Sequence, residues 1–376
     1  MKYYLVAGEA SGDLHGSNLM KELQLVDQNA EFRFFGGDLM KEVGGDLVKH
    51  YREMAFIGIL NVLLNLKTIK RNMNFCKQDL LEFNPDVLIL IDYPGFNLRL
   101  AEFAKKHNIK VYYYIAPKVW AWKEYRVKKI RNFTDELFVI FPFETSYFKK
   151  FNIDVHYVGN PLLDSISEFK TNAVSNKEFY KKNSLDNRKL VALMAGSRVQ
   201  EIKSTLPVMT KVAESFPDFQ FVIAGVNSID IELYKKYISG SPVKLIFDQT
   251  YDLLNHSHTA LVASGTAALE AALFNVPQTV IYKVEGGAPV DFVMRNFVIK
   301  TIGVSLPNII MNELIISEYI QVKMTVKNVK AEMEKLLFEE EYREKIFKDY
   351  SRLIEMMGKA GCSKRTAQKM MELLKN

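Results

Sequence analysis

The sequence is poor in cysteine and contains no long apolar run. Its 376 residues include two cysteines, Cys76 and Cys362, which stand in no C-x-x-C pattern. A disulfide framework and a cysteine zinc site are therefore not expected, and a reducing cytoplasm fits. No apolar run reaches the roughly 18 residues that a membrane-spanning helix needs, and Glu9 and Asp13 interrupt any signal-peptide core. We expect a protein that is soluble or peripheral to a membrane.

The sequence also has no strong excess of charge. Its formal net charge of +6 is mild and fits phosphorylated or nucleotide ligands, or an anionic membrane face. No basic run is interleaved with aromatic residues in a known motif, so we expect no nucleic-acid partner. The Asp-x-Asp pattern that anchors metal-bound sugar nucleotides is absent, and His256 and His258 have no evident third ligand. We expect no metal and no other cofactor.

The chain alternates strands and helices twice over. Its length and this alternation predict two α/β domains, each a parallel sheet between helices, with a cleft between them. We place the domains at residues 1–170 and 185–340. The polar residues 168–187 predict a linker region, and residues 341–376 predict a helical tail.

The first 19 residues combine a short strand with three glycines spaced four apart. The strand is expected at residues 3–7 and a helix at 17–25, with Glu9, Ser11 and Asp13 in a loop between them. The glycine spacing matches neither the dinucleotide fingerprint nor the Walker loop. Glycines at the carboxyl end of a strand let a ligand approach the backbone. The alternative is a tight turn in which Ser11 or Asp13 caps the helix.

Two further features of the first half carry possible chemistry. Asp92 closes the apolar run VLILI, where a carboxylate is costly unless it has a purpose. It is either a general base for an acceptor hydroxyl or a cap of the following turn. Trp120 and Trp122, beside a basic stretch that includes Arg126, either pack in the core or form a wall of an acceptor pocket. In the second case Arg126 would lie near an acceptor phosphate.

Two motifs in the second half follow strands and open helices. The guanidinium of Arg198 in one motif could neutralise a diphosphate leaving group. Backbone N–H groups of the other suit a diphosphate, and Glu270 one turn later could accept hydrogen bonds from a ribose. Taken alone, each motif is better explained by structure, as a helix cap with a solvated Glu270 in one case and as a surface Arg198 in the other. Because both motifs lie at the carboxyl ends of strands in the same half of the chain, together they argue for a nucleotide site. The motifs are Gly196-Ser197-Arg198 and Ser264-Gly265-Thr266.

Residues 54–66 are apolar almost all round. They predict either a buried core helix or an exposed patch that dips into a membrane beside neighbouring lysines. The candidate membrane patch comprises Ile59, Val62, Leu63, Leu64 and Leu66.

Seven motifs, spread in order over nearly the whole chain, resemble the lipid-A-disaccharide synthase family. They are AGEASGD (7–13), IDYPGFN (91–97), VWAW (119–122), FPFE (141–144), GSR (196–198), ASGTAALE (263–270) and SLPN (305–308).

This resemblance implies the GT-B fold, with two Rossmann-like domains around a cleft, and an inverting glycosyl transfer. The implied donor is UDP-2,3-diacylglucosamine, and the acceptor is 2,3-diacylglucosamine 1-phosphate (lipid X). The products are the β-1,6-linked disaccharide 1-phosphate and UDP. The resemblance also implies peripheral attachment to the cytoplasmic face of the inner membrane of a Gram-negative bacterium. Some members form homodimers by exchanging C-terminal segments, and the tail could pack on the first domain or on a partner subunit.

The resemblance also assigns roles to residues. Asp92 matches an essential residue that is a candidate base. Because UDP is then expected in the second domain, the first is left for the acceptor. Acceptor-binding residues are expected to be Glu9, Ser11, Asp13, Asn97, Trp120, Trp122 and Arg126. UDP-binding residues are expected to be Gly196, Ser197, Arg198, Ser264, Gly265, Thr266, Glu270, Asn308, Glu318 and Gln321.

Three positions depart from the family pattern. Ala195 replaces a usual Pro, Asn160 replaces a common His, and Lys118 stands where a small residue is usual. Lys118 therefore adds a cation beside the tryptophans. Two other functions stay open at this point. One is a GT-B transferase or UDP-sugar epimerase with a soluble substrate, and the other is a non-catalytic two-domain module that binds a nucleotide.

Overall fold

A computed structural model describes residues 1–54, 65–121, 123–283 and 302–375. It divides into two compact units. The first comprises Met1–Asp164 and Lys359–Asn376, and the second comprises Ser165–Gly358.

The strands of the described residues fall into two sheets. Those of the first sheet are β1 (Lys2–Ala7), β2 (Glu31–Gly36), β3 (Asp46–His50), β4 (Val87–Ile91), β5 (Lys110–Tyr114), β6 (Glu136–Val139) and β7 (His156–Tyr157). Those of the second are β8 (Lys189–Met194), β9 (Phe219–Gly225), β10 (Val243–Phe247), β11 (Thr259–Ala263), β12 (Gln278–Tyr282) and β13 (Ser317–Ile320).

The helices alternate with these strands. They are α1 (Ala10–Val26), α2 (Asp38–Val43), α3 (Leu66–Phe83), α4 (Pro94–Lys106), α5 (Val127–Phe133), α6 (Pro142–Lys149), α7 (Pro161–Asn172), α8 (Asn176–Lys182), α9 (Val199–Ala213), α10 (Ile231–Ile238), α11 (Thr250–Asn255), α12 (Thr266–Leu273), α13 (Leu306–Met311), α14 (Val326–Phe338), α15 (Glu340–Met357) and α16 (Cys362–Lys375). Short 3-10 turns occur at Tyr51–Glu53, Glu124–Arg126 and Gln321–Lys323.

Both sheets are parallel throughout and doubly wound. The first has the strand order β3-β2-β1-β4-β5-β6-β7, and the second has β10-β9-β8-β11-β12-β13. The order therefore reverses between β1 and β4 in the first sheet and between β8 and β11 in the second. At such a reversal neighbouring loops diverge to opposite faces and leave a crevice beyond the carboxyl ends of the strands. The α/β fold class expected from the alternating pattern is confirmed.

The central strands are covered on both faces. Every residue of β4 is buried, as its unbroken apolar sequence predicts for a strand between two helical layers. In the first unit α16 packs on α1, so the last described helix lies against the first. The hydroxyl of Tyr3 in β1 donates to Sδ of Met371 in α16 at 3.0 Å. Thr325 caps α14, its Oγ1 accepting from the N–H of Asn328 at 3.2 Å. None of the helices in the described ranges is long and apolar enough to cross a bilayer.

Candidate functional site

The expected loop after β1 is instead the start of a helix. Helix α1 begins at Ala10, so Ser11 and Asp13 lie in its first turns and Glu9 is its N-cap. A Cβ on Gly8 would lie 2.3 Å from the Tyr93 ring, and one on Gly16 would lie 2.7 Å from Sδ of Met40. At Gly8 and Gly16 it is therefore protein side chains, those of Tyr93 and Met40, that approach the backbone. Close packing of α1 outweighs the low helix propensity of glycine.

The carboxylate of Asp13 is engaged by the backbone of the neighbouring helix. Its Oδ1 accepts from the N–H of Gly37 at 2.8 Å and of Met40 at 3.1 Å, and its Oδ2 accepts from Leu39 at 3.1 Å. The side chain is 3% exposed. Asp13 thus satisfies N–H groups at the start of α2 that the helix itself leaves unpaired. This is capping, but of α2 and not of the helix that carries Asp13.

Glu9 and Ser11 are exposed at the carboxyl end of β1. Burial, and then the charge of Glu9, raise the pKa of the Tyr93 hydroxyl to about 12. Tyr93 follows Asp92 directly at the end of β4, which pairs with β1. The reversal point of the first sheet therefore brings Glu9 towards the turn that contains Asp92.

The turn after β4 has an uncommon backbone conformation. Asp92 and Tyr93 are both left-handed, with φ of +43° and +47°. Residues other than glycine rarely adopt the left-handed backbone conformation, and those that do are concentrated at functional sites. The Tyr93 hydroxyl donates to the carbonyl of Met54 at 2.9 Å, and its ring covers Gly8. The turn is therefore held by contacts with two other segments.

Asn97 does not project into open space. It is fully buried in the first turn of α4, and its Nδ2 donates to the carbonyls of Val6, Ile91 and Asp92 at 3.3, 3.2 and 2.9 Å. The side chain expected to bind the acceptor instead ties the ends of β1 and β4 together.

The Asp92 carboxyl group lies in a weakly hydrated environment. Burial raises its pKa, while the positive charge of Lys118 and a hydrogen bond from the N–H of Tyr93 lower it. Lys118 itself is exposed. The unusual lysine thus partly offsets the cost of ionising Asp92. A carboxylate with a raised pKa is a better proton acceptor when ionised, which suits a general base.

Trp120 is part of the core. Its ring meets Phe141 and Phe143 edge-on, and its Nε1 donates to Oε1 of Glu144 at 3.0 Å. Glu144 is 1% exposed, and its Oε2 accepts from the N–H of Phe141 at 2.9 Å. Burial raises the pKa of Glu144 to about 7, although these hydrogen bonds oppose it. Trp120 therefore has the core-packing role, not that of an exposed pocket wall.

Two other residues of the expected acceptor site are Arg126 and Trp122. Arg126 is half-buried before α5, and its positive charge acts to lower the pKa of Tyr113. Trp122 lies outside the described residues. Of the expected membrane patch, Ile59, Val62, Leu63 and Leu64 also lie outside them, while Leu66 begins α3 and is 52% exposed.

In the first expected UDP motif, at the end of β8, the backbone N–H groups are engaged by a side chain of the helix that follows, α9. Oε2 of Glu201 accepts from the N–H of Ser197 at 2.9 Å and of Arg198 at 3.3 Å. Gly196 has φ of +102°, and a Cβ there would lie 2.5 Å from the same oxygen. The Arg198 side chain is 68% exposed. The motif therefore offers a guanidinium, whereas Glu201 already engages its N–H groups.

The second motif, at the end of β11, is more open. Gly265 has φ of +144°, which strongly favours glycine, and a Cβ there would meet no atom of the described residues within 4 Å. The backbone then enters α12 at the exposed Thr266. Ser264 donates weakly to the carbonyl of Val304 at 3.4 Å. Burial raises the pKa of Glu270, and the Tyr251 hydroxyl donates to it at 3.3 Å. Among the described residues, none occupies the position next to Gly265 where a side chain would stand.

Asn308 and Glu318 bind each other and the backbone. Nδ2 of Asn308 donates to Oε1 of Glu318 at 2.8 Å, and Oδ1 of Asn308 accepts from the N–H of Ile315 at 2.8 Å. Glu318 also accepts from the N–H groups of Val304 and Ser305, both at 2.9 Å. Gln321 is 5% exposed with φ of +54°. Asn308 and Glu318 hold the segment before α13 against β13, a structural role that the motif spacing did not indicate.

Sequence reasoning missed three side chains that shape these sites. Glu144 and Glu201 each stand three residues after an N-cap, but those N-caps are Phe141 and Arg198 and not the Ser or Thr that marks a capping box in a sequence. Tyr113, whose hydroxyl donates to the Asp92 carbonyl at 2.6 Å, was hidden among three consecutive tyrosines. Among the described residues no group of three or more His, Cys, Asp or Glu side chains is placed to hold a metal ion.

The two doubly wound parallel sheets, each with its polar loops at the reversal point, define a protein of the GT-B class. Solved structures with a similar fold include the UDP-GlcNAc 2-epimerase from Neisseria meningitidis bound to UDP-GlcNAc (TM-score 0.70, 17% identity, all of both chains). A calicheamicin glycosyltransferase is also similar (TM-score 0.62, 13% identity, 100% of this chain and 98% of that one). At such identities the similarity establishes the fold alone.

The chain belongs to the lipid-A-disaccharide synthase family. The family model described as lipid-A-disaccharide synthetase matches residues 3–373. The lipid-A-disaccharide synthase of Geobacter sulfurreducens is 36% identical over 377 residues, covering 98% of this chain and 96% of that one. That of Coxiella burnetii is 33% identical over 375 residues, covering 98% of both.

This membership decides between the functions that the sequence left open. The chain is a glycosyltransferase that forms the lipid A disaccharide from lipid A precursors in lipid A biosynthesis. The family resemblance inferred from the seven motifs is confirmed.

Proposed function

We propose that the chain transfers 2,3-diacylglucosamine from its UDP derivative to the 6-hydroxyl of lipid X, with inversion, and that Asp92 is the base. In this proposal the first unit binds the acceptor and the second binds UDP. The observation that carries it is the Asp92 turn, a carboxylate with a raised pKa in a left-handed turn at the reversal point of the first sheet.

The step is a displacement at the anomeric carbon. Asp92 takes the proton of the acceptor hydroxyl as that oxygen bonds to the anomeric carbon. The bond from this carbon to the diphosphate breaks, and UDP leaves with the electron pair. The guanidinium of Arg198 would stabilise the charge that develops on the diphosphate. The open backbone at Gly265 and Thr266 would bind a phosphate, and Glu270 would accept from the ribose.

Replacing Asp92 by Asn tests the base. We expect turnover, measured as disaccharide by mass spectrometry, to fall about 10³-fold, within the range that general bases contribute. UDP binding, measured by calorimetry, should stay unchanged. Asp86→Asn is the matched control, because Asp86 precedes the other end of β4 and accepts from the N–H of Lys2 at 2.7 Å. Near-wild-type turnover of Asp92→Asn would exclude Asp92 as the base.

We also propose peripheral attachment to the cytoplasmic face of the inner membrane. In support, α3 begins at Leu66, the last residue of the apolar stretch, which is exposed, and it also exposes Phe75 beside Lys67 and Lys70. Apolar groups flanked by cations favour an anionic bilayer surface. Leu66→Ser with Phe75→Ser should weaken flotation with phosphatidylglycerol vesicles, whereas Leu25→Ser, an exposed leucine of α1, should not. Equal flotation of all variants would contradict the proposed surface.

The homodimer is proposed through exchange of α16. That helix covers α1 in this chain, and the same contact could form between two chains. Light scattering on the purified protein tests it, and a monomeric mass at micromolar concentration would rule it out.

A further inference from the structure

The Asp92 carbonyl is the meeting point of two buried side chains. It accepts from Nδ2 of Asn97 at 2.9 Å and from the hydroxyl of Tyr113 at 2.6 Å. The N–H of Asp92 donates to the carbonyl of Tyr114 at 3.2 Å. Both backbone polar groups of Asp92 are therefore fixed, in a residue whose φ of +43° is unfavourable for aspartate.

Both side chains that donate to the Asp92 carbonyl are buried and act there as hydrogen-bond donors. Asn97 and Tyr113 are both 0% exposed. Burial raises the pKa of the Tyr113 hydroxyl well above its ordinary value, so Tyr113 keeps its proton and remains a donor. Oδ1 of Asn97 is buried with no hydrogen-bond partner among the described residues. The Asn97 side chain therefore serves through its NH₂ group, and it leaves a buried acceptor unpaired, which costs stability.

We propose that Asn97 and Tyr113 are positioning residues, which hold the Asp92 backbone in its left-handed conformation and so aim its carboxylate at the acceptor hydroxyl. The inference rests on the proposed role of Asp92 as base. In this inference Asn97 does not contact the acceptor, as the sequence analysis expected, but acts on it indirectly by positioning Asp92. Proton transfer depends steeply on the alignment of the base. Loss of either hydrogen bond to the Asp92 carbonyl should therefore lower the turnover rate more than the affinity for the substrates.

Tyr113→Phe removes one donor without changing the packing. We expect kcat to fall about tenfold, with KM for both substrates within about twofold of wild type. Tyr114→Phe is the matched control, because Tyr114 is the next residue of β5 and equally buried, but its hydroxyl contacts Sγ of Cys362 at 3.5 Å. Its kcat should stay within about twofold of wild type.

The same substitution in the Asp92→Asn background separates positioning from structure. A residue that acts through the Asp92 carboxylate has nothing left to position there, so the residual rate should not fall further. An equal fall in both backgrounds, an equal effect of Tyr114→Phe, or an unchanged kcat for Tyr113→Phe would overturn the inference.

Asn97→Ala tests the other donor and should show the same separation of kcat from KM. If circular dichroism shows that this variant is unfolded, Tyr113→Phe alone decides. Failure of the proposed base is a distinct result, because it would appear as turnover by Asp92→Asn itself.

Discussion

The structural role of Asp13 and the ligand-binding role expected from the sequence can be told apart by experiment. It accepts three backbone hydrogen bonds, from Gly37, Leu39 and Met40, and is almost fully buried. Hydrogen bonds to a charged group each stabilise by roughly 1.5–3 kcal/mol, and their loss leaves buried N–H groups unpaired. Asp13→Asn retains one acceptor oxygen and turns an NH₂ group towards a donor.

We therefore expect Asp13→Asn to destabilise the first unit by about 2 kcal/mol, and Asp13→Ala by about 4 kcal/mol. With a urea dependence of about 2 kcal/mol per molar, these losses lower the midpoint by about 1 and 2 M. Tryptophan fluorescence reports on this unit, because residues 120 and 122 are the two tryptophans of the sequence and fall within its range.

The control is Asp38→Asn. Asp38 begins α2, but its carboxylate is 61% exposed and its ion pairs are at the surface, so its replacement should cost below about 0.5 kcal/mol. The reasoning would be refuted if Asp13→Asn kept the wild-type midpoint and instead raised the KM for the acceptor tenfold. Asp13 would then face the ligand.

Three further outcomes are expected. Since burial raises the pKa of Glu144 to about 7 while the unfolded carboxyl titrates near 4.5, the native state alone holds this proton between those values. The free energy of unfolding of the first unit should thus fall by at most about 3 kcal/mol as pH rises from 4.5 to 7. In urea titrations Glu144→Gln should remove this dependence on pH, and an equal dependence in the variant and the wild type would contradict the prediction. Lys118→Ser should raise the pKa of Asp92, moving the acid limb of kcat/KM to higher pH, whereas Lys128→Ser should leave it in place. Gly265→Ala should destabilise the second unit by about 1–3 kcal/mol in thermal unfolding, more than Gly240→Ala, because φ is +144° at Gly265 and +76° at Gly240.

The sequence predicts the central strands well because they are unbroken apolar runs. It misses β3 and β13, which lie at the sheet edges and are only half-buried, so their apolar pattern is weak. The expected linker region contains α8 and the end of α7, residues 168–172, and these residues are largely polar. Ser175 and Glu178 form a capping box there that did mark a helix.

At the sites, the motifs locate the right loops but not the partners of their side chains. Asp13 meets N–H groups more than 20 residues away, and Glu318 meets Val304 and Ser305, which precede α13 while Glu318 follows it. Spacing within a motif contains no information about such distant contacts. Only the folded chain distinguishes an exposed carboxylate from one that already accepts hydrogen bonds from the protein. Glu9 is the first kind and the buried Asp13 is the second.

The packing of α16 on α1 has a consequence for the synthesis of the protein. Tyr3 and Met371, in contact between β1 and α16, are separated by 368 residues. At roughly 5–20 residues per second, a ribosome makes the second partner about 20–70 s after the first. During that time the face of α1 that α16 covers stays uncovered, although the second unit can fold as soon as it emerges. The first unit is therefore completed only when the last helix of the chain has been made.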